Sequence, residues 1–325
     1  MGADEEIQHT TRRRSKVAIV GAGSVGATIA FACMIRGVGK TIALYDLDAD
    51  KTRAEVLDLN HGIQFVPMAS VIGSDDIAVT AGSDVVVVTA GAKQKPGQTR
   101  LDLAAVNVEM CRTLMPQLVE MSPEALFLVV TNPVDVMTYA ALKFSGLPTR
   151  AVFGSGTVLD SSRLRILLAE HCGVAVHNVH AFIIGEHGDS ELPCWSRAAI
   201  GPVPLDEWSV PGRPRIDEET RSRISEQVVG AAEEIIRGKG ATNYAIGLAA
   251  ARILEALLYD EASVLPVSSL LDGQYGIGDV CLSLPSIVTA RGIETLLTPP
   301  LAPHEISGLR RSAGTVRAVA RSLNL

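Results

Sequence analysis

The segment Val17-Ala18-Ile19-Val20-Gly21-Ala22-Gly23-Ser24-Val25-Gly26 constrains this chain more than any other. A short apolar run leads into G-x-G-x-x-G and then into a stretch of helical composition. In that order the glycines allow a tight turn and a close backbone approach to a pyrophosphate, and the helix N-terminus faces the phosphates with its dipole. A second apolar run, Thr41–Tyr45, ends at Asp46, twenty residues after Gly26. An acid there is placed to accept hydrogen bonds from an adenosine ribose and to repel a 2′-phosphate, so NAD is expected rather than NADP.

The rest of the first half repeats the theme. Lys16–Val20, Thr41–Tyr45, Asp84–Thr89 and Ala125–Val130 are short Val- and Ile-rich runs, mostly separated by helix-length segments. Strands joined by crossover helices imply a parallel sheet covered on both faces, a doubly wound α/β fold of Rossmann type. Val85–Val88 is continuous rather than alternating, as expected of a central strand buried on both sides. Thr89-Ala90-Gly91-Ala92, directly after it, offers a second close backbone approach to a cofactor. After about Gly154 the pattern changes. Longer helices, Asp160–His171, Asp217–Arg237 and Ala241–Leu258, alternate with β-like pieces at His180–Ile184, Ser263–Ser269 and Val280–Leu284. The expected organisation is a tail over 1–15, a dinucleotide-binding unit over 16–154 and a mixed α+β substrate unit over 155–325.

Composition removes several function classes. Lys and Arg number 29 against 36 Asp and Glu, a net charge of −7, which argues against nucleic acid as a partner. The five cysteines are widely spaced and lack a Cys-x-x-Cys pair, so no disulfide framework or cysteine metal site is expected, and a reducing, cytoplasmic setting fits. Arg12-Arg13-Arg14 precedes an uncharged stretch from Val17 to Ile35 that superficially resembles an export signal. Its three glycines and five alanines give weak transfer free energy, so neither export nor membrane insertion is expected.

The chemistry is concentrated in the second half. Gly185-Glu186-His187-Gly188-Asp189 follows the isoleucine-rich His180–Ile184, leaving a histidine ring accessible between glycines at the end of a strand. Upstream, Asp160 and Arg163 lie three apart, on one face of a helix. An acid that orients imidazole and an arginine that grips a carboxylate are what oxidation of a 2-hydroxy acid needs.

With these residues in place, the chain resembles the NAD-dependent L-lactate and malate dehydrogenases from about Lys16 to the C-terminal helix. Gly21–Gly26, Gln94–Arg100, Asn132-Pro133-Val134-Asp135, Gly154–Arg163 and Gly185–Asp189 occur in that family's order and at its spacings. The resemblance implies that His187 is the proton donor and acceptor, Asp160 its orienting partner, Arg163 the carboxylate clamp and Arg100 the polariser of the substrate carbonyl. It places Asn132 near the reacting oxygen and Thr242 in the pocket wall. For the cofactor it implies Gly21, Gly23, Val25, Gly26, Asp46, Lys51, Gly91, Ala92, Thr131, Asn132 and Ser155, and it implies no metal. Lys93–Thr99, polar and containing Gly and Pro, has the character of a lid that brings Arg100 over the substrate. Gln98 replaces a glutamate often found there, and Ile77 stands near where the family commonly has an adenine-side tyrosine.

Within the family, the residue in the place of Gln94 meets the variable end of the substrate, and malate enzymes carry arginine there. Oxaloacetate would bring a second carboxylate against a neutral side chain, at a cost on the order of 3–5 kcal/mol, whereas the methyl of pyruvate incurs none. The expected reaction is therefore reduction of pyruvate to L-lactate. Malate or a longer 2-hydroxy acid is the alternative substrate, and a non-catalytic dinucleotide sensor would need no such histidine, acid and arginines together. Arg165 and His180 match the residues that bind fructose 1,6-bisphosphate at a subunit interface in sugar-phosphate-activated bacterial members. The resemblance also implies a homotetramer, for which apolar faces such as Val228–Ile236 leave room.

Overall fold

A computed structural model describes residues 15–67, 69–92 and 100–325, the side chain of Arg100 excepted. Six strands, β1 (Lys16–Val20), β2 (Thr41–Tyr45), β3 (Ser70–Ser74), β4 (Val85–Val88), β5 (Leu126–Val129) and β6 (Val152–Gly154), run parallel in the order β3-β2-β1-β4-β5-β6. Helices α1 (Ser24–Arg36), α2 (Ala49–His61), α3 (Arg100–Met121) and α4 (Val134–Ser145) lie between them in the chain. The strand order reverses between β1 and β4, which opens a crevice at the carboxyl ends of those strands.

The valine run is explained by what covers it. Val17, Ile19, Val85 and Val87 share one apolar cluster with Ile29 of α1, while Ala18, Val20, Val86 and Val88 share the other with Met115 and Leu118 of α3 and Met137 of α4. Both faces of β1 and β4 are buried, so an alternating pattern would place polar groups in one of the two cores.

The second half contains α5 (Val158–Cys172), α6 (Glu218–Lys239), α7 (Tyr244–Leu258) and α8 (Pro303–Ser322). Its short strands are β7 (Val179–His180), β8 (Ile183–Ile184), β9 (Leu192–Pro193), β10 (Ala199–Ile200) and β11 (Val203–Pro204). Its long ones are β12 (Ser263–Asp272), β13 (Gly278–Thr289) and β14 (Gly292–Leu296). Two features differ from the sequence reading. The sheet does not stop at Gly154: Ser268 of β12 pairs antiparallel with Gly154, and β13 and β14 continue it, giving nine strands among the described residues. Strand β6 thereby gains a neighbour on the side that would otherwise be an open edge. The apolar run His180–Ile184 is two strands rather than one, because β7 pairs with β10 while β8 pairs with β9.

The uncharged stretch from Val17 to Ile35 divides into most of β1 and α1, and no helix among the described residues is long and apolar enough to cross a membrane. All five cysteines are free and buried. Burial pushes the thiols of Cys33, Cys111 and Cys194 up to about 12, which keeps them unreactive.

Candidate active site

The crevice begins at the first glycines. Gly21 takes φ +101°, and its N–H donates to the Tyr45 carbonyl at 2.7 Å. A Cβ on Gly26 would lie 1.9 Å from the Gly21 carbonyl oxygen, so only glycine lets the first turn of α1 pack against this loop. At Gly23 a Cβ would meet nothing within 4 Å, and α1 has neither a side-chain cap nor an acid in its first turn. Its first N–H groups are left for an anion, as a bound pyrophosphate requires. Val25 is half-buried beneath them and packs into the core.

Asp46 stands beside this loop. One of its oxygens accepts the Ala22 N–H at 2.7 Å and the other accepts the Asp48 N–H at 3.1 Å, which fixes the carboxylate at the tip of β2. The Lys51 ammonium stands 3.8 Å from it. On the other side of the crevice a buried asparagine joins two loops: Asn107 accepts the Ala92 N–H at 2.8 Å and donates to the Asn132 carbonyl at 2.9 Å. The Thr131 hydroxyl donates to the Ala90 carbonyl at 2.7 Å, and the Ser155 N–H donates to Val129 at 2.8 Å. Gly91, Ala92, Thr131, Asn132 and Ser155 are thus gathered at the carboxyl ends of β4, β5 and β6.

Helix α5 brings an acid to the histidine. Its N-terminus is tied to β8 twice: the Thr157 hydroxyl donates to the Ile183 carbonyl at 2.6 Å, and the Ile183 N–H donates to the Ser161 hydroxyl at 2.8 Å. Asp160, in the first turn, is 1% exposed and sits where the helix dipole favours its charge. Two side chains share it. His187 donates from Nδ1 to Oδ2 at 2.5 Å, and Arg163 donates to Oδ1 at 2.7 Å. Because a carboxylate only accepts, Nδ1 carries a proton and Nε2 is left for a ligand. Arg163 also borders an open groove of about 580 Å³ between α5 and α6.

The histidine loop is held from behind. Gly185 takes φ +91° and pairs with Ser283, and a Cβ there would lie 2.8 Å from the Ser312 hydroxyl of α8. The next N–H, that of Glu186, donates to the same hydroxyl at 2.8 Å. The backbone N–H of His187 donates to Asp135 Oδ2 at 2.7 Å, and the Ser268 hydroxyl donates to Asp135 Oδ1 at 2.5 Å. Burial pushes the Asp135 carboxyl up to about 6 despite these two donors. For His187, burial opposes the charged ring, but the charge and hydrogen bond of Asp160 outweigh it. With Asp135 and Glu191 adding to them, the imidazole is pushed up to about 9.

Asp135, Asn107 and Glu191 are absent from the sequence-derived site. Asp135 carried a legible signal, an acid inside the apolar stretch Val134–Ala141 that is buried almost throughout. Asn107 and Glu191 carried none. Thr242 is half-buried between α6 and α7, where the neighbouring Asn243 donates to Thr28 of α1 at 2.9 Å. Arg165 leaves α5 away from Asp160: its Nε donates to the Ala181 carbonyl at 2.8 Å and its guanidinium stacks on Phe182. His180, one residue before Ala181, is exposed. Gln94, Gln98 and the 93–99 loop lie outside the described residues, as does the side chain of Arg100, whose backbone opens α3.

Residues 15–154 match the model of the lactate/malate dehydrogenase NAD binding domain, and residues 157–322 match that of the lactate/malate dehydrogenase alpha/beta C-terminal domain. The chain belongs to the lactate/malate dehydrogenase family. This dehydrogenase is 50% identical over 307 residues to an L-lactate dehydrogenase of Bifidobacterium animalis subsp. lactis, covering 94% of this chain and 96% of the relative. It is also 50% identical over 316 residues to an L-lactate dehydrogenase of Synechococcus, covering 95% and 99%. A crystal structure of a lactate dehydrogenase from a Medee basin deep-sea metagenome library superposes with a TM-score of 0.92 at 38% identity, over 96% of this chain and 100% of that one. The dehydrogenase is accordingly an NAD-dependent oxidoreductase, and the open Gly23 backbone and the Asp46 carboxylate beside it are features that fit its cofactor.

Proposed function

We propose that the protein is an L-lactate dehydrogenase that interconverts pyruvate and L-lactate, with residues 16–154 as its dinucleotide unit and 155–325 as its substrate unit. The observation that carries this reading is the shared carboxylate of Asp160, which binds His187 on one oxygen and Arg163 on the other. NAD supplies a hydride acceptor, and NADH a hydride donor, when bound in the crevice. In reduction, protonated His187 gives the Nε2 proton to the ketone oxygen while Asp160 remains anionic and stabilises the ring. Arg163 has five N–H donors with one committed to Asp160, so it can grip the substrate carboxylate with the others. Arg100, delivered by the 93–99 segment, polarises the carbonyl and helps exclude water, Asn132 lies near the reacting oxygen, and Thr242 forms pocket wall. Neutral Gln94 selects a methyl over a second carboxylate.

The test is NADH oxidation with pyruvate, oxaloacetate and 2-oxobutyrate. A preference for pyruvate over oxaloacetate of roughly a hundredfold or more supports the reading. Equal rates, or preference for either competitor, contradict it.

The same reading makes the protein a cytoplasmic homotetramer activated by fructose 1,6-bisphosphate through Arg165 and His180. In its favour, Arg165 bonds the Ala181 carbonyl and stacks on the Phe182 ring, away from Asp160, and the adjacent His180 is exposed. Copies of this cationic pair facing one another across an interface would repel until a phosphate dianion joined them. Steady-state kinetics at pH 6 should show a lower apparent pyruvate constant with the bisphosphate. Identical curves, or activation that survives Arg165→Gln with His180→Asn, contradict the regulatory part.

A further inference from the structure

Glu191 has no task in the reading above, yet it reaches the same site. Its N–H donates to the Gly188 carbonyl at 3.1 Å, closing a turn that begins one residue after His187 and returns the chain beside it. One oxygen of Glu191, one of Asp160 and a ring nitrogen of His187 lie within 4.8 Å of one another. The Oε1 atom of Glu191 is buried and has no hydrogen-bond partner. Buried polar atoms in folded proteins are nearly always satisfied, so an ionised oxygen here would be costly, and a neutral carboxyl group much less so.

The surrounding charges point the same way. Asp160 and Arg163 face Glu191 from α5, and His187 and Glu186 face it from the loop; Asp135 of α4 faces His187 from the other side. Arg163 is already paired with Asp160 at 2.7 Å, which leaves two carboxyl groups beside one imidazole. Burial first, and the Asp160 charge second, hold the Glu191 carboxyl well above the ordinary carboxyl range, while His187 and Arg163 oppose them.

We propose that Glu191 is a positioning residue for the proton of this reaction: it is a neutral acid beside the imidazolium until the pH rises, it ionises before the ring gives up its proton, and its charge then keeps that proton on His187. The protons of the pair therefore leave in two coupled steps, and Glu191 sets the pH at which His187 becomes free to accept one. This rests on the dehydrogenase reading only for what the proton is used for. In oxidation of the hydroxy acid, the substrate O–H proton passes to neutral His187 as the C–H hydrogen leaves as hydride to NAD. Glu191 exchanges no proton with the substrate.

The experiment is a pH titration of ¹⁵N-histidine-labelled full-length protein without ligands, followed by NMR, with the His187 ring signal assigned by its loss in His187→Asn. Glu191→Gln should lower the His187 midpoint by about one pH unit. The acid limb of kcat/KM for lactate oxidation should move down with it. If that variant does not fold, Glu191→Ser, which also removes the carboxyl, is read in the same way. A midpoint that is unchanged or raised overturns the proposal. A lowered midpoint in a protein that turns over no lactate upholds the coupling and contradicts the dehydrogenase reading, whereas lactate turnover with an unmoved midpoint does the reverse.

Discussion

The carboxylate of Asp135 accepts the backbone N–H of His187 at 2.7 Å, joining two residues from opposite halves of the chain. Asp135 stands in the first turn of α4, and its other oxygen takes the Ser268 hydroxyl from β12 at 2.5 Å. One buried acid thus connects helix α4, the hairpin that extends the sheet and the loop that carries the His187 imidazole.

Removing that acid should misplace His187 rather than remove it. Asp135→Ala leaves two buried donors unsatisfied and should lower kcat about 10²-fold, with destabilisation. Asp135→Asn keeps an acceptor for the His187 N–H and should retain kcat to within about tenfold. Stability adds a sign test. The folded carboxyl at about 6 lies above its ordinary 3.8, so its contribution is full below the unfolded value and is lost as pH rises through about 6. The Tm of Asp135→Asn relative to wild type should therefore increase from pH 5 to pH 7. A Tm difference independent of pH would contradict a buried, reluctantly ionised Asp135.

Strands β1 and β2 were legible to the residue because both are short apolar runs with buried interiors. The edge strand β3, Ser70–Ser74, has one buried residue in five and so no apolar pattern to read, and β6 is only three residues long. Asp160, Arg163 and His187 were legible because helical spacing and a glycine-flanked histidine carry chemical meaning within a few residues. Asn107 was not, since its partners Ala92 and Asn132 are fifteen and twenty-five residues away and become neighbours only when β4 and β5 pair. Glu191 is four residues from His187, but its burial depends on where α5 is held.

Cofactor choice should depend on Asp46. Asp46→Ala removes acceptors for ribose hydroxyls and a charge that repels a 2′-phosphate, and it leaves the Lys51 ammonium, now 3.8 Å from that charge, unopposed. The ratio of kcat/KM for NADH over NADPH should fall by at least about tenfold. An unaltered ratio would show that another residue sets it.

Substrate choice should depend on residue 94. Gln94→Arg supplies a guanidinium for a second carboxylate and should raise kcat/KM for oxaloacetate while lowering it for pyruvate. Competition assays with both keto acids measure the change, and unchanged ratios would remove Gln94 from the specificity role.

The most direct test of proton transfer by His187 is the pH dependence of kcat/KM for pyruvate reduction. A ring pushed up to about 9 by Asp160 is protonated throughout neutral pH and keeps its proton until the pH rises through that value. The rate constant should be level near neutrality and then fall tenfold per pH unit in the alkaline range. His187→Asn should lose on the order of 10³-fold in turnover at neutral pH with NADH affinity nearly unchanged. A wild-type profile that stays flat or rises through pH 10, or a His187→Asn variant that keeps near wild-type turnover, would contradict the assignment of the proton to His187.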